Sequence, residues 1–179
     1  MSCTRRAALN KLHSLPPRTE AGVNGLVIAP SGTLAAEMPD EWEDLGIPWR
    51  QAALPLPANL CLVPSTIQQS SGLPLAMCVI DGPQKVGKVI TARPIAGLVF
   101  LFEGQPVRLI IGQSPTQEGL QLPQNWIDMQ VQRPAFFKFW ESWLQTAFPP
   151  GTVSQIEWRP EAWCIELIDR YQLRDGKDE

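Results

Sequence analysis

Residues 75–111, LAMCVIDGPQKVGKVITARPIAGLVFLFEGQPVRLII, decide how this chain folds. Four apolar or β-branched runs, 75–80, 86–92, 98–102 and 107–111, are separated by Asp81-Gly82-Pro83, by Arg93-Pro94 and by Glu103-Gly104-Gln105-Pro106. Val, Ile and Phe suit a pleated, half-buried surface, whereas Gly, Pro and Asp turn a chain. The spacing predicts sequential antiparallel strands. Leu98-Val99-Phe100-Leu101-Phe102 has no polar face, so it reads as a central strand covered on both sides, and it demands a second layer over the sheet.

Downstream, residues 134–148 provide that layer. Pro134 suits the first helical position, and Pro149-Pro150-Gly151 ends the helix. Phe136, Phe137, Phe139, Trp140, Trp143, Leu144, Ala147 and Phe148 fill one half of the helical circumference, opposite Lys138, Glu141, Ser142, Gln145 and Thr146. After Gly151, the residues Val153, Ile156 and Trp158, then Trp163, Ile165 and Leu167, read as a last hairpin turning at 159–162. A helix over 161–171 competes, since Trp163, Cys164, Leu167, Ile168 and Tyr171 also form one stripe; the reading favours the strand.

Upstream, 26–29, Pro30-Ser31-Gly32 and 33–38 read as strand, turn and strand. Asp40 then caps a short helical turn that is acidic at its start, with Glu41, Glu43 and Asp44, and carries Trp42 and Leu45 inward. Pro55, Pro57 and Pro64 leave room only for an irregular or edge segment around Leu60-Cys61-Leu62-Val63. The architecture expected is α+β: a mainly antiparallel sheet of about six to eight strands, able to curl toward a barrel, with one amphipathic helix on a face. Residues 1–20 are expected to form a loosely ordered arm, 21–173 a single globular domain and 174–179 a polar tail.

The chain has 179 residues, of which 44% are hydrophobic and 18% charged, which suits a folded domain rather than a disordered one. Its net charge of −3 and pI near 5.2 give no long-range attraction for nucleic acid or anionic lipid. No stretch reaches the length of a membrane span, so neither nucleic acid nor membrane insertion is expected. Cys3, Cys61, Cys78 and Cys164 lie far apart, with no metal-ligand spacing, and read as free thiols in a reducing, cytoplasmic setting.

The stretch from Gly82 to Val89 has the glycine and lysine spacing of a phosphate-binding loop, but Val89 replaces the metal-binding hydroxyl and a β-branched run follows, not a helix. A loop between strands explains the same glycines. His13 is the only histidine and falls in the arm, so no histidine-based catalysis or metal site is expected. The acid pairs Glu41 with Glu43, Glu157 with Glu161 and Glu166 with Asp169 read as solvated surface. Lys85, Lys88, Arg93 and Arg108 are candidates for an anion-binding cluster, though a solvated sheet face explains them as well.

Seven tryptophans stand against one tyrosine. Trp42, Trp49 and Trp126 lie in proline-bounded or polar segments and are the candidate partner-binding anchors. With no catalytic constellation, no cofactor and no metal ligands legible, the expectation is a non-enzymatic interaction or assembly factor that binds another protein. A small-ligand-binding β-barrel is the alternative; an enzyme using carboxylate, lysine or thiol groups ranks third.

Overall fold

Arg18–Thr19 (β1), Gly22–Ala29 (β2), Asn59–Leu62 (β3), Ala76–Ile80 (β4), Val89–Phe102 (β5), Gln105–Gln113 (β6) and Val153–Pro160 (β7) form one seven-stranded sheet in the order β1-β2-β3-β4-β6-β5-β7. The computed structural model describes residues 12, 14–38, 48–69, 71–115, 123 and 126–173. Three α-helices, α1 (Trp126–Gln132), α2 (Pro134–Ala147) and α3 (Glu161–Tyr171), and two 3-10 turns, Ala35–Glu37 and Pro48–Gln51, complete the described elements.

β2 also pairs with β5, from Val23↔Ala92 to Leu26↔Val89, and this closes β2-β3-β4-β6-β5 into a five-stranded barrel. The strands anticipated at 75–80, 98–102 and 107–111 are present. Their pairing is not simply sequential and antiparallel, because β6 runs parallel to β4, with Ala76 opposite Leu109 and Ile80 opposite Gln113. The chain leaves β4 and crosses to β5 beside β2, and the β5–β6 hairpin then inserts β6 between β5 and β4. That hairpin turns on Glu103 and Gly104 alone, both at positive φ (50° and 78°), as a two-residue turn requires. The strand order and connections are those of the five-stranded Greek-key barrel known as the OB-fold.

Four local expectations are corrected. Arg93-Pro94 does not end a strand: β5 runs through it, and a register shift between Pro94 and Ala96 absorbs the missing N–H. β3 is no edge, since it pairs with β2 and β4 on its two sides. Residues 33–38 form no strand; Ala35–Glu37 is a 3-10 turn in which the Glu37 carboxylate accepts from Leu34 N–H at 3.0 Å. Residues 161–171 are helix, which puts Cys164, Leu167 and Ile168 on one buried face where a strand would split them between two. The capped turn expected at Asp40 lies outside the described residues.

One face of the sheet carries Leu26, Leu60, Leu62, Leu98, Phe100 and Leu109 beneath α2, whose Trp140, Trp143, Leu144 and Ala147 are buried as the periodicity predicted. Phe139, expected in the same stripe, stands 53% exposed at its margin. The other face carries Val23, Val27, Cys61, Met77, Val79 and Ile110 with α3. Asn59 is buried and ties two loops to β4: its Oδ1 accepts from Ser31 N–H and Gln84 N–H, and its Nδ2 donates to the Val79 and Gly82 carbonyls. Within the stretch expected as a loose arm, Leu12 is only 3% exposed, and Asn24 donates from its backbone to the Pro17 carbonyl and from its side chain to that of Pro16. Where it is described, the arm is anchored.

Candidate functional site

A cleft of about 600 Å³ opens between the 3-10 turn Pro48–Gln51, the loop and first residue of β4, and the β5–β6 hairpin. In the terms of an OB-type barrel these are the loop between the first two strands, the start of the third strand and the loop between the last two. OB-folds bind their ligands on this side.

Trp49 builds one wall. It is 1% exposed, with its ring centroid 5.6 Å from Trp143, 6.1 Å from Phe148 and 6.3 Å from Phe100, so the turn that carries it is fixed against α2 and β5. That anchorage presents the neighbouring Arg50 and Gln51 to the cleft, and Arg50 Nη2 also donates to the Met38 carbonyl at 3.4 Å. The β5–β6 hairpin lines the cleft as well, with Glu103 at its exposed tip, then Gln105, Val107 and Arg108. Arg108 is half-buried, and its guanidinium makes no hydrogen bond or ion pair with any described residue. Leu62, Ala76 and Phe102 form an apolar floor. The remaining rim is Gln68, Ser71, Leu73 and Pro74, held together by Gly72 N–H donating to the Gln68 carbonyl at 2.7 Å and by Gln68 Nε2 donating to that of Pro74.

Arg50 and Arg108 both line this concave, half-apolar space, and two arginines on one lining favour an anionic ligand with planar oxygen acceptors, for which the arginine fork is suited. No thiol among the described residues contributes, because Cys61, Cys78 and Cys164 are all buried and outside any disulfide. Burial pushes the Cys61 thiol well up, with Cys78 adding to it, and pushes Cys78 up likewise. The Cys164 thiol is pushed up to about 12, by burial first and then by the Glu161 carboxylate. Such thiols are poor nucleophiles and poor metal ligands.

Chains solved previously share this architecture nearly end to end. The fold resembles that of inorganic pyrophosphatases. Over 90% of this chain and 96% of the other, it matches the inorganic pyrophosphatase of Neisseria gonorrhoeae with a TM-score of 0.63 at 16% identity. The Thermus thermophilus enzyme matches over 91% and 97% of the two chains, with a TM-score of 0.61 at 20% identity. The type I enzyme of Toxoplasma gondii matches over 89% and 84%, with a TM-score of 0.68 at 17% identity. No family model matches the sequence, and no curated protein matches it. At these identities the likeness shows the fold.

The expectation of a non-enzymatic interaction or assembly factor is corrected by that likeness, since the solved chains that share the fold over nearly their whole length are enzymes. One of its supports also fails: Trp49 is no exposed anchor but a core indole, because the apolar faces of α2 and β5 converge on it. Trp126 is half-buried against Phe137, at 5.4 Å between ring centroids, and Trp42 lies outside the described residues.

Enzymes that cleave phosphoanhydrides commonly clamp the phosphates with divalent metal ions held by several carboxylates. The described residues here do not fit such a centre. Glu103 is the one carboxylate among those lining the cleft, and no three His, Cys, Asp or Glu side chains come together anywhere among the described residues. Glu157 pairs instead with Arg159, and Asp169 with Arg18 at 2.9 Å. His13, Asp40, Glu41, Glu43 and Asp44 lie outside the described residues.

Of the basic cluster anticipated from sequence, only Arg108 lines the cleft. Lys88 donates to Gln84 Oε1 and Lys85 lies in the same loop, whose glycines precede a strand and not a helix. Arg93 sits opposite Gln113 and Arg108 opposite Val99, so five residues of β6, about 17 Å, separate the two arginines. Arg50 was missed by sequence reasoning. Its one available signal was the adjacent Trp49, since a buried aromatic fixes the direction of its neighbours.

Proposed function

We propose that this chain acts on a phosphate-containing small molecule whose oxygens are held by Arg50 and Arg108 in the cleft. The observation that carries this reading is the place of Arg108: a half-buried residue whose guanidinium is unpaired among the described residues, lining with Arg50 a concave site on the ligand-binding side of an OB-type barrel. The likeness to inorganic pyrophosphatases supports phosphoanhydride or phosphate-ester cleavage as the reaction class. Guanidinium groups spread over phosphate oxygens offset charge that builds on the transferred phosphoryl group and on its leaving oxygen. Glu103 is the described lining group able to accept a proton from an attacking water. The buried, unpaired thiols support a reducing, cytoplasmic setting for this activity.

Phosphate release by the full chain, from pyrophosphate and from a panel of phosphate esters and anhydrides, tests the reading. Release from at least one of them is expected, falling at least tenfold in Arg108→Gln while the melting temperature holds. If no compound in the panel is either cleaved or bound, the reading is wrong.

A further inference from the structure

We infer that the ligand of this cleft is an organic phosphate, with its phosphate on Arg50 and Arg108 directly and an apolar body on the hydrocarbon lining beside them, and that no divalent cation bridges it to the described residues. The inference rests on the function proposed above and specifies the substrate class of that same site.

Size is the first argument. Inorganic pyrophosphate, with roughly nine heavy atoms at no more than about 30 Å³ each, fills less than half of a cleft of about 600 Å³. A cleft of this volume is the size that buries most of an organic ligand of moderate size. Lining chemistry is the second. A site for a bare, fully hydrated phosphate anion gains nothing from hydrocarbon, which forfeits the anion's hydration without offering donors. Here Leu62, Leu73, Ala76, Phe102 and Val107 line the cleft together with Arg50 and Arg108. This mixed lining, hydrocarbon beside cation, suits a ligand that itself combines an apolar body with a charged head.

The donor set is the third argument. Divalent metal ions need several oxygen donors, and Glu103 alone supplies a carboxylate among the described lining residues. Arginine can take the place of the metal as the charge partner of a phosphate, through paired N–H···O bonds that need no ion. Ser71 and Gln51 at the rim offer neutral polar groups for the oxygen atoms that connect head to body.

Titration calorimetry on the full chain, comparing inorganic pyrophosphate with phenyl diphosphate in EDTA and again with Mg²⁺, tests the inference. Phenyl diphosphate is expected to bind at least tenfold tighter than pyrophosphate, with no more than a twofold change between EDTA and Mg²⁺. Arg108→Gln should weaken both ligands at least tenfold, whereas Leu73→Gln should weaken phenyl diphosphate and leave pyrophosphate within twofold. Equal affinity for the two ligands, or binding that appears only with Mg²⁺, overturns the inference; if that binding still depends on Arg108, the proposed function survives it. Binding of neither ligand under either condition overturns this inference, and failure of the whole panel above overturns the function with it.

Discussion

Trp163 lies against Gly97, close enough that a Cβ built on residue 97 would stand 2.5 Å from Cζ3 of the indole and 3.2 Å from Cβ of Arg159. The bare backbone of β5 is thus the seat on which the first turn of α3 rests. Because β7 pairs with β5 at Gly97↔Arg159 and runs directly into α3, neither neighbour can withdraw alone. Gly97→Ala should destabilise the fold by about 1 to 3 kcal/mol through overpacking, read from urea unfolding with the slope unchanged. A change below about 0.5 kcal/mol would show that the indole swings aside freely.

Trp140 is buried at the centre of α2, touching Phe136, Phe139 and Trp143. Truncation to Ala should cost about 3 to 5 kcal/mol, the range for emptying a large aromatic site that cannot collapse. Denaturant unfolding measures it, and a cost below about 1 kcal/mol would remove Trp140 from the core.

The elements legible in the sequence are those whose signal is local. Alternation or unbroken apolarity identified the strand segments at 26–29, 75–80, 98–102 and 107–111, and a 3.6-residue period identified the helix at 134–147. What stayed hidden is non-local. Nothing near Val23 or Ala92 announces that they pair and close the barrel, and a five-residue apolar run carries no mark of being parallel to its neighbour. At 161–171 both periods fit, and Cys164, Leu167 and Ile168 chose helix only because a buried face was waiting above β5. The site suffered for the same reason. Arg108 was visible as a cation, but its relation to Arg50 depends on the 3-10 turn at Pro48–Gln51 packing through Trp49 onto α2 and β5.

Removing residues 1–20 should destabilise the fold, contrary to what their composition suggests. Leu12 is buried, its carbonyl accepts from Ser65 N–H at 2.7 Å, Ser65 Oγ donates to the Leu15 carbonyl at 2.8 Å, and Arg18–Thr19 pairs with the start of β2. Burial of one leucine contributes about 1.5 to 3 kcal/mol, and each lost hydrogen bond adds about 1 kcal/mol where it leaves a buried group unmet. Deletion to Glu20 is therefore expected to lower stability by about 3 to 5 kcal/mol, and Leu12→Ala alone should reproduce roughly half of that. A truncated chain that melts with the full chain would show these contacts to be idle.

The three buried thiols set an alkaline limit on the fold. Burial favours the neutral form, so each thiol's folded pKa lies above its unfolded value of about 8.5. Below about pH 8.5 both states keep the proton, and the thiols cause no pH dependence. Above it the unfolded chain releases protons that the folded chain retains, so stability falls as pH rises, and for Cys164 the fall continues to its folded value of about 12. The slope is about 1.4 kcal/mol per pH unit for each thiol, so three thiols between pH 9 and 10 remove about 4 kcal/mol. One tyrosine in the whole chain leaves little phenol titration to obscure the effect in that window. Urea midpoints at pH 7, 9 and 10 should therefore drop steeply over the last step. Cys164→Ala should recover about a third of that drop whatever it costs at neutral pH, because the alanine variant has one fewer proton to lose on unfolding. An equal decline in the wild type and the variant would place Cys164 in water in the folded state and remove it from the buried face of α3.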